Sequence, residues 1–168
     1  MAIWRLPSLF TIIAVILAAI LLWTVDIRQG LLNDTILTAT QIQGDKFPLT
    51  LSDPVGLTFK LETPPQRIVS VTLGTDEILA DLIPFSRIAA ITQLANNPTI
   101  SNVAGHYPQH IPRISGEVEQ IIAQQPDLVF VSTYTRAETV RLLLGSNIPV
   151  VRLNQFESLA DIKHNILT

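Results

Sequence analysis

Cysteine is absent from this 168-residue chain, which excludes disulfides, thiolate zinc sites, cysteine nucleophiles and lipid attachment to an N-terminal cysteine. Charge is sparse: 11 Lys and Arg stand against 14 Asp and Glu, a formal net charge of −3. Without a basic excess there is no surface to neutralise a phosphate backbone, so nucleic acid is set aside as a partner. No Gly-x-Ser-x-Gly run supplies a nucleophile elbow, and no corner holds the several glycines that a phosphate cradle needs. Apolar side chains are plentiful, at 48% of residues, the composition of a folded protein rather than a disordered one.

The longest uncharged apolar run is Leu6–Val25, LPSLFTIIAVILAAILLWTV. As a helix rising about 1.5 Å per residue it spans roughly 30 Å, the thickness of a bilayer core. Arg5 supplies the positive flank of both an export signal and a retained anchor. The bulky Leu22-Trp23-Thr24-Val25 offers no small-x-small cleavage site and Trp23 suits a membrane interface, so a retained anchor is favoured and the rest of the chain is expected outside the cytoplasm. Residues 26–45 mix polar and apolar side chains without a period and are expected to be a linker, and 46–168 to be the folded domain.

Phe47–Glu62 places two alternating runs around Asp53-Pro54-Val55-Gly56, a turn tetrapeptide, and predicts a hairpin. Beyond Pro64-Pro65 come four apolar runs, Ile68–Val71, Ile88–Ile91, Leu128–Val131 and Ile148–Val151. Each is short and apolar throughout, as strands buried on both faces of a parallel sheet must be. Helical patterns separate them. Thr75 is the expected cap of a helix with Ile78, Leu79, Leu82 and Ile83 inward. Val118, Ile121 and Ile122 mark a second helix, ended by Pro126. Thr135-Arg136-Ala137-Glu138 reads as a capping box opening a third, with Ala137, Val140 and Leu144 buried and Gly145 as its stop. Ser158 opens a fourth with Leu159, Ile162 and Ile166 on one face. The expected architecture is α/β, a doubly wound, mostly parallel four-stranded sheet of order 2-1-3-4.

Ligands of such sheets lie beyond the carboxyl ends of the strands, where the winding reverses. That rule selects Thr72, Leu73, Gly74 and Thr75 after the first strand, Ser132, Thr133, Tyr134 and Thr135 after the third, and the long loop Gln93–Ser115. Asp76 and Glu77 are expected to serve as first-turn charges answering the helix dipole, which would repel an added anion. They point about 100° apart and do not form an acid/base pair. His106 and His110 have the spacing of a helical metal pair, but Pro108 and Pro112 break that helix, so no metal site is expected. His106 and Tyr107 remain the loop side chains best placed to reach a ligand. Tyr134 is either a stacking ring or an aromatic covering the sheet edge. Glu119 points off the apolar stripe of its helix, where it would meet an arginine of another protein.

The segments RIVSVTLGTDEILADL, VEQIIAQQPDLVFVSTYT and IPVVRLNQFESLADIKHNI, in this order and spacing, resemble one lobe of a known family. They look like the N-terminal lobe of the substrate-binding proteins of ABC importers for iron-siderophores, haem and vitamin B12, from about Phe47 to Thr168. The resemblance implies capture of a metal chelate outside the cytoplasmic membrane and delivery to a permease, with no cofactor and no catalysis. It implies ligand-facing loops at Thr72–Thr75, Gln93–Pro98 and Ser132–Thr135, and permease docking through Glu119. Family members continue into a second lobe, so this chain is expected to be a fragment or to receive that lobe from a separate polypeptide. The alternatives are a membrane-tethered interaction module that binds no ligand and, last, an enzyme using Asp76 or His106.

Overall fold

The computed structural model describes residues 16–21, 40–52 and 57–153, together with 158, 160, 162, 163 and 166. The chain divides into two compact units, Met1–Asp34 and Thr35–Thr168. In the first, residues 16–21 are helical with exposed side chains. The rest of the apolar run Leu6–Val25 lies outside the described residues, and among those described no helix is long and apolar enough to cross a membrane.

The second unit begins with three short antiparallel strands, β1 (Gln41–Gln43), β2 (Leu49–Ser52) and β3 (Thr58–Leu61), in that order. The β2–β3 pair is the expected hairpin, although its turn, 53–56, lies outside the described residues. β1 falls within the stretch expected to be a linker. Thr40, just before it, donates its N–H to Arg152 O at 3.0 Å and accepts from Arg152 N at 2.9 Å, lining an outer edge of the main sheet.

That sheet holds β4 (Ile68–Ser70), β5 (Ile88–Thr92), β6 (Arg113–Ile114), β7 (Leu128–Ser132) and β8 (Val150–Leu153), all parallel, in the order β6-β5-β4-β7-β8. The expected 2-1-3-4 order is its inner and right-hand part. β6 is an addition: two residues of the long loop pair with Ile91 and Thr92, too short a run to leave an apolar signature. The last strand sits two residues later than Ile148–Val151. Continuous burial of β4 and β8 explains why neither alternates.

The winding reverses between β4 and β7. On one face α1 (Leu73–Leu82) and the antiparallel strands pack on Ile68, Ile91, Leu128 and Val151. On the other, α2 (Val118–Ala123) and α3 (Ala137–Gly145) pack on Val69, Ala90, Val129 and Val131 through Ile121, Val140 and Leu143. Burying one such side chain contributes about 2 kcal/mol. The β4–β7 register is fixed at its lower end by Asp127, whose carboxylate accepts from the N–H groups of Gln66 at 2.6 Å and Arg67 at 2.8 Å. Arg67 in turn donates to the carbonyls of Gln124 and Gln125, closing the end of α2.

Several helix boundaries differ from the sequence pattern. α1 is capped by Thr72, not Thr75, so Leu73 and Gly74 lie within its first turn. Its buried side is Thr75, Asp76, Leu79 and Ala80, while Leu82 is 53% exposed. The capping box does not form. α3 starts after Arg136, and the Thr135 hydroxyl instead accepts from Ser132 N at 3.1 Å, drawing the turn back onto the end of β7. α3 ends at Gly145, the expected stop, and Asn147, two residues beyond, takes the left-handed conformation at φ 57°. Ile122 is exposed, leaving Ile121 as the buried anchor of α2. In the fourth helix the described residues 160, 162, 163 and 166 are helical, and Leu159 lies outside them.

Asp76 departs most from expectation. It is fully buried, and its carboxylate accepts from Thr92 N at 3.2 Å and Thr92 Oγ1 at 2.6 Å, pinning α1 to the end of β5. Burial raises its pKa from 3.8 to about 7, against the opposing hydrogen bonds from Ser70 and Thr92.

Two outcomes are expected from urea unfolding. Asp127→Ala removes two charge-assisted N–H bonds and lowers stability by about 2–4 kcal/mol, with Asp127→Asn intermediate. For Asp76 the folded state holds the proton more tightly than the unfolded state. Its contribution is therefore complete below about pH 4 and lost as pH rises through about 7. Asp76→Asn flattens that limb of the stability profile, and an unchanged profile would refute the buried acid.

Candidate functional site

Because β4, β5 and β7 are parallel neighbours, the segments that follow them leave the same edge of the sheet. The register pairs Ser70 with Phe130, which places Thr72 and the α1 N-terminus alongside Thr133 and Tyr134. Gln93 opens a 3₁₀ turn, Gln93–Asn96, at the next strand end. Thr72, Leu73, Gly74, Thr75, Gln93, Thr133 and Tyr134 thus converge on the edge where the sheet reverses direction, the place at which doubly wound sheets receive ligands.

They do not all present side chains there. Thr72 and Thr75 are buried, their hydroxyls 2.7 Å apart, so they build the corner. Leu73 and Gly74 are half-buried in the first turn, where backbone N–H groups lack intrahelical partners. Gln93 is exposed. Tyr134 is 63% exposed, so most of its ring faces solvent. Thr133 Oγ1 is buried with no hydrogen-bond partner among the described residues.

The loop candidates lie elsewhere. Tyr107 is 3% exposed, and its hydroxyl donates to Asp76 O at 2.6 Å. Burial pushes that phenol well above its ordinary pKa, so it stays protonated. Tyr107 is a core strut rather than a ligand contact. His106 is exposed and meets Phe85 edge-on at 5.7 Å. The loop is laced by Arg113, whose guanidinium donates to the carbonyls of Tyr107, Pro108 and Ile111 and to Asn96 Oδ1. Glu77 holds it from α1 by accepting from Asn102 N at 2.8 Å. Among the described residues no cluster of His, Asp and Glu could hold a metal ion.

Two features of this edge carried no sequence signal. Gly116, after β6, has φ +88°, and a Cβ there would lie 3.3 Å from Val71 Cγ1, so the chain entering α2 passes tightly over the end of β4. Arg136 pairs with Glu117 at 3.3 Å, bridging the starts of α2 and α3. Glu119, in the first turn of α2, is exposed. The edge therefore offers free backbone donors, an aromatic face and an acidic rim.

Comparison with solved structures finds the same fold. Helicobacter pylori CeuE, crystallised as a nickel–histidine complex, aligns with a TM-score of 0.55 at 18% identity, over 75% of this chain and 40% of that one. A variant of the haem-binding protein HmuT aligns with a TM-score of 0.52 at 17% identity, over 74% and 38%. The chain thus spans well under half the length of the structures it matches. No curated relative matches it. Residues 68–168, well over half of the chain, match the model of the periplasmic binding protein family. With that match, the sheet and the reversal edge in agreement, the chain belongs to the periplasmic binding proteins, a family of binders rather than enzymes.

Proposed function

We propose that this chain is a solute-binding component of an ABC importer that captures a metal chelate of the iron-siderophore, haem or corrinoid class outside the cytoplasmic membrane. The observation that carries the reading is the convergence of the Thr72–Thr75, Gln93 and Thr133–Tyr134 segments on one edge in a member of this family. Tyr134 stacks on the chelate's flat or aromatic face, and the α1 N–H groups of Leu73 and Gly74 meet its oxygen acceptors. In this reading the apolar run Leu6–Val25 holds the chain at the membrane, and Glu119 docks on an arginine of the permease. Ligand pockets enclose most of their guest's surface. The edge from Thr72 to Tyr134 is one wall of such a pocket.

Calorimetric titration with haemin, cyanocobalamin and a ferric catecholate is expected to give binding to at least one, with Kd on the order of 10 µM to 1 mM. Tyr134→Ala weakens it by about 5-fold, the value of one aromatic contact. Absence of heat with all three, or indifference to Tyr134, overturns the ligand assignment. Docking is tested separately. Glu119→Lys abolishes co-purification with the permease while Asp81→Lys, exposed near the far end of α1, retains it; equal retention by both removes Glu119 from the interface.

A further inference from the structure

Asp76 lies directly beneath the proposed ligand wall, and three separate segments of the molecule meet on it. Its carboxylate takes the N–H and the hydroxyl of Thr92, the last residue of β5 before Gln93. Its backbone carbonyl takes the Tyr107 hydroxyl from the long loop. Its own N–H donates to Thr72 O, the cap of α1. One residue therefore joins the β4–α1 corner, the β5 end and the loop, with its side chain sealed from solvent.

We propose that Asp76 is a positioning residue acting as a proton-controlled latch, which holds Thr72–Thr75 and Gln93 in one arrangement when protonated and loosens them when ionised. The inference rests on the reading of that edge as the ligand wall. Protonated, the carboxyl donates to Thr92 Oγ1 while Thr92 N donates to the carboxyl, since the Thr hydroxyl serves either role. The carboxyl is then paired without charge. Ionised, the carboxylate is a buried charge that no cation among the described residues offsets. The charged neighbour acting on it is Glu77, of like sign. β4 offers only Ser70 and β5 only Thr92, both neutral. Tyr107 keeps its proton, and Arg113, beyond it, is committed to carbonyls. An uncompensated buried charge favours any arrangement that hydrates it. Rising pH therefore separates the first turn of α1 from the end of β5, and the corner, the β5 end and the loop share that change because they share the residue.

The test is a pH titration of the full-length, ¹⁵N-labelled chain by two-dimensional NMR, between about pH 5 and 9. Thr92, whose N–H points at the carboxylate, is expected to titrate together with Gly74, Gln93 and Tyr107 around one midpoint near neutrality. Thr92→Val, lacking the hydroxyl that favours the ionised form, shifts the midpoint upward. Asp76→Asn abolishes the shared titration. A midpoint in the ordinary carboxylate range overturns the latch, as does titration of Thr92 without Gly74 and Tyr107, or persistence in Asp76→Asn. The wild-type and Thr92→Val curves decide the matter even where Asp76→Asn folds poorly. No ligand enters these measurements. Failure to bind haemin leaves the latch standing, and absence of the titration leaves the ligand wall standing.

Discussion

The pairing of β4 with β7 is the constraint on which the rest of the molecule depends. It brings together strands about sixty residues apart, and it is locked at the lower end by the Asp127 carboxylate on two backbone N–H groups. Above that lock Val69 and Val129 are wholly buried in adjacent positions. Once the lower ends are level, a parallel ladder carries the register to the upper ends, and the residues that follow each strand emerge side by side. The crevice is thus a consequence of a hydrogen-bonded pair at the opposite end of the sheet. The Pro126-Asp127-Leu128-Val129 run combines a helix stop, a ladder lock and a buried strand in four residues, which explains its weight in identifying the fold.

The upper edge has two layers with different physics. Beneath lie buried hydroxyls and one buried carboxyl, in Ser70, Thr72, Thr75, Asp76 and Thr92, joined to one another and to backbone. Such a network specifies one arrangement because each group left unpaired there costs about 1–3 kcal/mol. Above it stand Gln93 and Tyr134, exposed and unconstrained by packing. The lower layer fixes where the upper one stands. A substitution below alters geometry, and in the proposed function one above alters recognition.

What the sequence disclosed follows the same division. Ile68–Val71 and Leu128–Val131 were legible because burial on both faces demands unbroken apolar runs. Arg113–Ile114 was not, since a two-residue edge strand requires no pattern, and its pairing is with Ile91 and Thr92 some twenty residues earlier. The Thr135–Glu138 spacing fits a capping box, yet the Thr135 hydroxyl found a nearer partner in Ser132. Local motifs lose when a tertiary turn offers the same donor at lower strain. Asp76 and Glu77 look alike as first-turn acids, and only the fold distinguishes them: one faces the end of β5, the other the loop at Asn102. Tyr107 and Tyr134 were equally plausible rings, and burial separates them. The reversal edge itself was legible from the order of elements, because it depends on topology and not on any single side chain.

The acidic rim follows from this placement. α2 and α3 both begin at the upper edge, and helix beginnings favour carboxylates, so Glu117, Glu119 and Glu138 gather there for reasons of helix stability alone. The Glu117–Arg136 pair is exposed on both sides, at 58% and 72%, and such pairs are worth little in water. It nevertheless consumes one cation of the rim, leaving negative charge next to an aromatic face. A rim of that sign repels anionic guests at long range and attracts cationic surfaces, most strongly at low salt. In the proposed function, recognition of an acidic chelate relies on short-range backbone donors and on stacking, while the field around the crevice serves the approach of a basic protein partner. On that proposal the same few helix starts supply both, which puts guest and partner on one face of the molecule.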